Sequence, residues 1–161
     1  MINLIRCDDR LIHGQCMTRL VQHYKINHII VVDEFTANDP TMKMVIQLLA
    51  MPGMKNEAFT LEDSIEPIKA AIQDNVGTMI VFRFPEIAKE LFDRIGDLPQ
   101  WLMIGPVQKT DDADVTVMNG TYLSAAQIEA LNHLDEKGVE IFFQVVPDMK
   151  RIDYKEFKNK L

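Results

Sequence analysis

The ten residues Arg6-Cys7-Asp8-Asp9-Arg10-Leu11-Ile12-His13-Gly14-Gln15 concentrate the side chains of this chain that could do chemistry. A neutral imidazole is a nucleophile near neutral pH, because its unperturbed pKa is about 6.5. Arg10, three residues before His13, offers a planar fork of donors that matches phosphate oxygens. Gly14 has no side chain to shield the histidine and lets the backbone approach a ligand closely. The amides of Gly14, Gln15 and Cys16 fall at the start of an amphipathic run, where free N–H groups and the helix dipole favour an anion. Asp8 or Asp9 could orient the imidazole through its second nitrogen, leaving the other acid to pair with Arg10. Phosphoryl transfer asks mainly for positioning and charge stabilisation, so this set suffices for a histidine that receives a phosphoryl group. The same histidine could instead be a cap or a surface residue. Cys7, His13 and Cys16 match no closed zinc spacing, and no metal or other cofactor is expected. Cys16 fits better as a small apolar core residue.

The elements around these residues alternate between two periodicities. Ile2–Ile5, His28–Val32, Glu57–Thr60, Thr78–Phe82 and Val139–Val145 read as strands, with weaker strand signals at Trp101–Ile104 and Val115–Val117. Gly14–Tyr24 reads as a helix with Met17, Leu20, Val21 and Tyr24 on one face. Asp39-Pro40 opens another, with Met42, Val45, Ile46 and Leu49 as its buried stripe and Pro52-Gly53 as its end. Thr60 caps a helix that buries Ile65, Ile68 and Ile72. Pro85 starts one that buries Ile87, Ala88, Leu91 and Ile95 and stops at Gly96. Ser124 and Gln127 form a capping box, with Leu123 and Ile128 as its staple. Most of the ten methionines are expected in the core, and the tail from Met149 to Leu161 is charged and weakly patterned.

This alternation predicts an α/β fold: an open, mainly parallel twisted sheet of about seven strands with helices on both faces, in one domain over 1–161. In such folds ligands bind outside the carboxyl ends of the strands. The loops Asp8–His13, Asp33–Asn38, Arg83-Phe84-Pro85 and Gly105-Pro106 should therefore share one edge. Asp33 or Asn38 could touch the site. Leu11, Ile12 and Phe84 are candidates for an apolar rim where partners dock, although one of the first two also suits the core.

A net charge of −7 argues against a nucleic-acid partner and against an anionic membrane surface. Two cysteines build no disulfide framework. Charges interrupt the one apolar N-terminal run, so no secretory signal is expected. No apolar stretch approaches the ~18–20 residues of a membrane-spanning helix, so no membrane insertion is expected and the expected location is cytoplasmic. A homo-oligomer is compatible with the sequence.

Asp8-Asp9-Arg10-Leu11-Ile12-His13-Gly14-Gln15 resembles the signature of the mannose/fructose/sorbose family of phosphotransferase-system (PTS) enzyme IIB. The resemblance extends to Ile29-Ile30-Val31-Val32-Asp33-Glu34 with Ala37-Asn38-Asp39-Pro40, to Pro52-Gly53, to Phe82-Arg83-Phe84-Pro85 and to Gln144-Val145-Val146-Pro147. It implies a mainly parallel sheet covered by helices on both faces. It further implies that His13 accepts a phosphoryl group, at Nδ1, from a phosphohistidine on enzyme IIA. The group then passes to a sugar of the mannose, fructose, sorbose or N-acetylhexosamine class entering through membrane subunits IIC and IID. Arg10 would stabilise the phosphoryl group. One departure stands at Met103-Ile104-Gly105-Pro106, where the family carries an Asn-Val-Gly-like loop facing the histidine. It implies altered contact to the phosphoryl group, a different sugar or partner surface, or reduced transfer.

Other classes fit less well. The acidic pair Asp8-Asp9 is compatible with a magnesium-binding receiver domain, but Phe59-Thr60 lacks the acceptor aspartate of that class. No glycine-rich dinucleotide fingerprint follows the first strand. A divergent IIB-like regulatory module that binds partners with weakened transfer is the remaining alternative.

Overall fold

The computed structural model describes residues 1–161 apart from the side chains of Gln15 and Cys16. Along the chain lie β1 (Ile2–Cys7), α1 (Gly14–Tyr24), β2 (His28–Val32), α2 (Glu34–Asn38), α3 (Pro40–Leu48), β3 (Lys55–Phe59), α4 (Leu61–Gln73) and β4 (Thr78–Phe82). They are followed by α5 (Pro85–Arg94), β5 (Trp101–Ile104), β6 (Val115–Met118), β7 (Thr121–Leu123), α6 (Ala125–Glu136), β8 (Glu140–Phe143), β9 (Ile152–Asp153) and α7 (Tyr154–Lys158). Among the described residues the main sheet has seven strands in the order β3-β2-β4-β1-β5-β8-β9. Its pairings are parallel except for β8 with β9. The expected fold class is borne out.

Strand alternation divides the interior in two. Ile5, Cys7, Ile30, Val32, Ile80 and Phe82 face the layer of Ile68, Leu91, Leu131 and Leu134 from α4, α5 and α6. Leu4, Ile29, Val31, Met79 and Val81 face Met17, Leu20 and Val21 of α1 and Ile46 of α3. β4 is buried at every position, the mark of a parallel strand covered on both sides. The Ser124–Gln127 capping box forms in full.

Strand β1 lies between β4 and β5. The chain leaves β1 toward β2 and β3, returns through β4, and crosses to β5 on the other side. The loop after β1 thus opens at the point where the strand order reverses, flanked by the loops after β4 and β5.

Three expectations need correction, and the weakly patterned tail gains structure besides. Of the α3 stripe only Ile46 is buried; Val45 and Leu49 are 39% and 48% exposed. This short helix covers the border strand β3, which offers too little sheet to bury a wider face. Met1, Met44, Met51 and Met149 are exposed, so the methionines are not mainly core. The Val115–Val117 strand forms, but in a separate hairpin with β7 around Gly120 rather than in the main sheet. The tail docks: Tyr154 is 1% exposed, and its hydroxyl donates to Asn132 Oδ1 at 2.7 Å. Four further elements, α2, β7, β9 and α7, carry no signal in the sequence pattern.

Candidate functional site

β1 ends one residue before Asp8, and the chain turns at once. The Leu11 amide donates to the Asp8 carbonyl at 3.0 Å, and the Arg10 amide donates to Asp8 Oδ1 at 3.1 Å. Asp8 thus closes its own turn with main chain and side chain together. Leu11 follows at φ +57, a left-handed backbone that a leucine rarely adopts. Its side chain is 3% exposed and packs with Met17 and Leu20, so burial holds the strained residue in place. Leu11 is therefore core and not rim, while Ile12 is half-buried at the edge of the same cluster.

His13 comes next, with extended backbone, as the N-cap residue of α1. Its side chain does not cap the helix. The ring turns back instead, placing Nε2 3.1 Å from Asp8 Oδ2. A carboxylate paired with a guanidinium only accepts, so Nε2 is the donor and carries the proton. Among the described residues Nδ1 has no hydrogen-bond partner. The ring is 18% exposed, neither entombed nor free. Gly14, at φ +49, then starts the helix; an added Cβ there would meet no atom within 4 Å, so backbone shape rather than space requires glycine.

Asp8 gathers the site. Its side chain is 1% exposed. Besides His13, Oδ2 accepts from Arg6 Nη2 at 3.0 Å and Nε at 3.3 Å. Arg6 is wholly buried, and its Nη1 donates to the Gln144 carbonyl at 3.1 Å beside Met103 Sδ. Arg6 escaped the sequence reading. The available signal was period-two spacing: Leu4, Arg6 and Asp8 alternate onto one face of β1, and a charge at the middle position needs a buried partner.

Asp9 sits differently. Its amide donates to the Pro106 carbonyl at 2.9 Å, and its own carbonyl accepts from Arg83 Nη1 at 2.6 Å. Burial, and then the charge of Asp8, push its carboxyl pKa up, while among the described residues Oδ1 lies buried without a hydrogen-bond partner. It does not reach the imidazole. Arg83 also pairs with Asp33 at 3.3 Å, tying the loops after β1, β2 and β4 together. Cys7 donates to the Arg83 carbonyl, and burial raises its thiol pKa well above the ordinary value, so it is inert packing.

The remaining candidates divide. Arg10 is exposed, and among the described residues its guanidinium makes no ion pair or hydrogen bond. Phe84 is 39% exposed on the loop after β4, and Asn38 is exposed at the end of α2. Gly105 is buried against Arg6, and Met103 lies inside β5 opposite Arg6 in register. The position that departs from the family pattern therefore meets Arg6 and not the histidine. The side chains of Gln15 and Cys16 lie outside the described residues. No helix is long and apolar enough to cross a membrane among the described residues.

Comparison with known proteins places this architecture. The chain is 24% identical over 156 residues to the fructose-specific EIIB component of the phosphotransferase system of Bacillus subtilis, covering 96% of this chain and 94% of that one. It is 26% identical over 156 residues to the mannose-specific EIIAB component of Escherichia coli, covering 95% of this chain but 48% of that protein. The chain thus spans about half the length of that relative. The solved structure of manxB from Thermoanaerobacter tengcongensis superposes with a TM-score of 0.86 at 29% identity, covering 99% of this chain and 96% of that one. The family described as the PTS system sorbose subfamily IIB component matches residues 2–161, and the chain belongs to that family.

Proposed function

We propose that this chain is a single IIB domain acting as a cytoplasmic phosphocarrier, with His13 as its acceptor. The observation that carries the reading is the division of labour on the imidazole: Nε2 is held by Asp8, and Nδ1 has no partner among the described residues. The Nδ1 lone pair attacks the phosphorus of a phosphohistidine on enzyme IIA. The N–P bond to IIA breaks, and its electron pair returns to the IIA ring. The proton on Nε2 of His13 stays where it is, so the phosphorylated ring gains positive charge, which the Asp8 carboxylate 3.1 Å away balances. The first-turn amides of α1 and the Arg10 guanidinium, which has no partner among the described residues, cradle the phosphoryl oxygens. The reverse polarity then serves delivery: the group leaves His13 for a sugar hydroxyl presented by subunits IIC and IID.

Two docking events must use the edge around His13. Phe84, exposed there, and half-buried Ile12 supply apolar contact for them.

The test is incubation with phosphorylated IIA of a mannose-family system. The expected label is acid-labile and base-stable, absent from His13→Ala, and independent of added metal. Retained labelling of His13→Ala, or label on an aspartate, would remove the reading.

A further inference from the structure

We propose that Arg6 is a positioning residue for His13: clamped beneath Gly105, it holds Asp8 so that the ring keeps its proton on Nε2 and presents Nδ1. The inference rests on the reading of His13 as the acceptor. Arg6 occupies a position on β1 that packing alone would give to an aliphatic residue, between Leu4 and Asp8 and facing the α1 layer. A wholly buried cation is retained at a desolvation cost, which only close and complete pairing offsets. That pairing is present. Nε and Nη2 both reach Asp8 Oδ2, and Nη1 reaches the Gln144 carbonyl. Gln144 is itself pinned, since its side-chain amide donates to the carbonyls of Pro147 and Met149 at 3.2 and 2.9 Å. The guanidinium thus runs from an anchored loop after β8 to the carboxylate that touches the imidazole.

Gly105 supplies an independent observation. Its φ lies outside the left-handed region, so no turn requires glycine there. A Cβ at this position would stand 2.6 Å from Arg6 Cζ and closer still to Nη2. The missing side chain is the space in which the guanidinium lies flat against the backbone. Gly105 therefore acts on His13 through Arg6 and Asp8, and Met103 packs against the same guanidinium.

A carboxylate fixed in this way selects one tautomer, as carboxylate partners of histidine do in other sites. Losing the clamp frees Asp8 to rotate and lets the ring sample the tautomer with the proton on Nδ1, which cannot accept phosphorus there. The experiment records ring nitrogen shifts of His13 in the unphosphorylated protein by 15N NMR at alkaline pH, together with the rate of phosphoryl acceptance from phosphorylated IIA. Wild type, Arg6→Met and Gly105→Ala are compared. The expected result is one tautomer in wild type, a mixture in both variants, and acceptance slowed roughly 10–100-fold. If Arg6→Met fails to fold, Gly105→Ala decides, because it adds one methyl group against the guanidinium. A wild-type ring spectrum in a folded variant overturns the proposal, whether or not transfer slows. Failure of wild type to accept phosphoryl would instead defeat the acceptor reading, and the ring spectra would still decide the role of Arg6.

Discussion

Of three histidine–carboxylate pairs among the described residues, His133–Asp93 lies on the helical surface, while His13–Asp8 and His28–Glu57 stand at opposite ends of the sheet's strands, and only one of these two has the makings of a catalyst. His28, at the start of β2, places Nε2 2.7 Å from Glu57 Oε2, closer than His13 stands to Asp8. The two rings are similarly covered, 14% and 18% exposed. The His28 ring, however, has its other nitrogen 3.4 Å from the Thr78 hydroxyl and lies at the amino ends of the parallel strands. His13 keeps Nδ1 clear of the described residues, stands at the carboxyl end of the central strand, and leads straight into a helix of eleven residues. Proximity of an acid to an imidazole is therefore not what marks a site. A second nitrogen left bare, a helix start beside it and a buried arginine behind the acid are what distinguish this one.

Substitution should separate the two pairs sharply. His13→Ala should abolish phosphoryl acceptance, whereas His28→Ala should leave it within a factor of about two, given that substitutions away from a site act mainly on stability; a labelling time course distinguishes these outcomes. Asp8→Asn comes next. It strands a buried guanidinium, which costs about 3–5 kcal/mol of stability in a denaturant melt, and should slow acceptance roughly 10–100-fold in protein that remains folded. Glu57→Gln should leave acceptance unchanged, since Glu57 touches no acceptor. Arg10→Lys should slow acceptance less than Asp8→Asn, because a point charge keeps the attraction but loses the fork; rapid-quench kinetics give the ratio.

Smaller effects sharpen the contrast. Gly14→Ala meets no steric obstacle, yet its left-handed backbone should cost about 1–2 kcal/mol, readable as a lowered melting temperature. The His28 pair should lose its stabilising effect in acid. Burial pushes the Glu57 pKa up, but hydrogen bonds from His28 and Lys55 outweigh it and hold the net value below the ordinary 4.5. A depressed carboxyl pKa stabilises the fold above the ordinary value, and the benefit is lost as pH falls through the depressed one. The stability difference between wild type and His28→Ala should accordingly shrink below about pH 4.5, measured by melts across pH.

Much of the frame was legible because its signals are redundant. His28–Val32 and Thr78–Phe82 are continuous apolar runs that suit only covered parallel strands. Pro85 and the Ser124–Gln127 box announce their helices with backbone chemistry as well as pattern. The failures share a cause: they depend on what lies across the fold. Val45 and Leu49 have helical spacing, but no neighbour covers them at the border of the sheet. β7 and β9 are three and two residues long, too short for any periodicity. At the site, the types and spacing of Asp8, Arg10 and His13 were visible, while the choice between Asp8 and Asp9 was not. That choice depends on the left-handed Leu11, which a core contact enforces. Arg6 read as an interruption of an apolar run because its partner carbonyl, on Gln144, lies 138 residues away.

The central claim is that Nδ1 of His13 is the phosphoryl-accepting atom while Nε2 stays bound to Asp8. One-bond 15N–31P coupling in the protein phosphorylated by IIA reads this directly. Coupling confined to Nδ1 of His13, with Nε2 still protonated, is the result expected. Coupling at Nε2, or to a histidine other than His13, would contradict it.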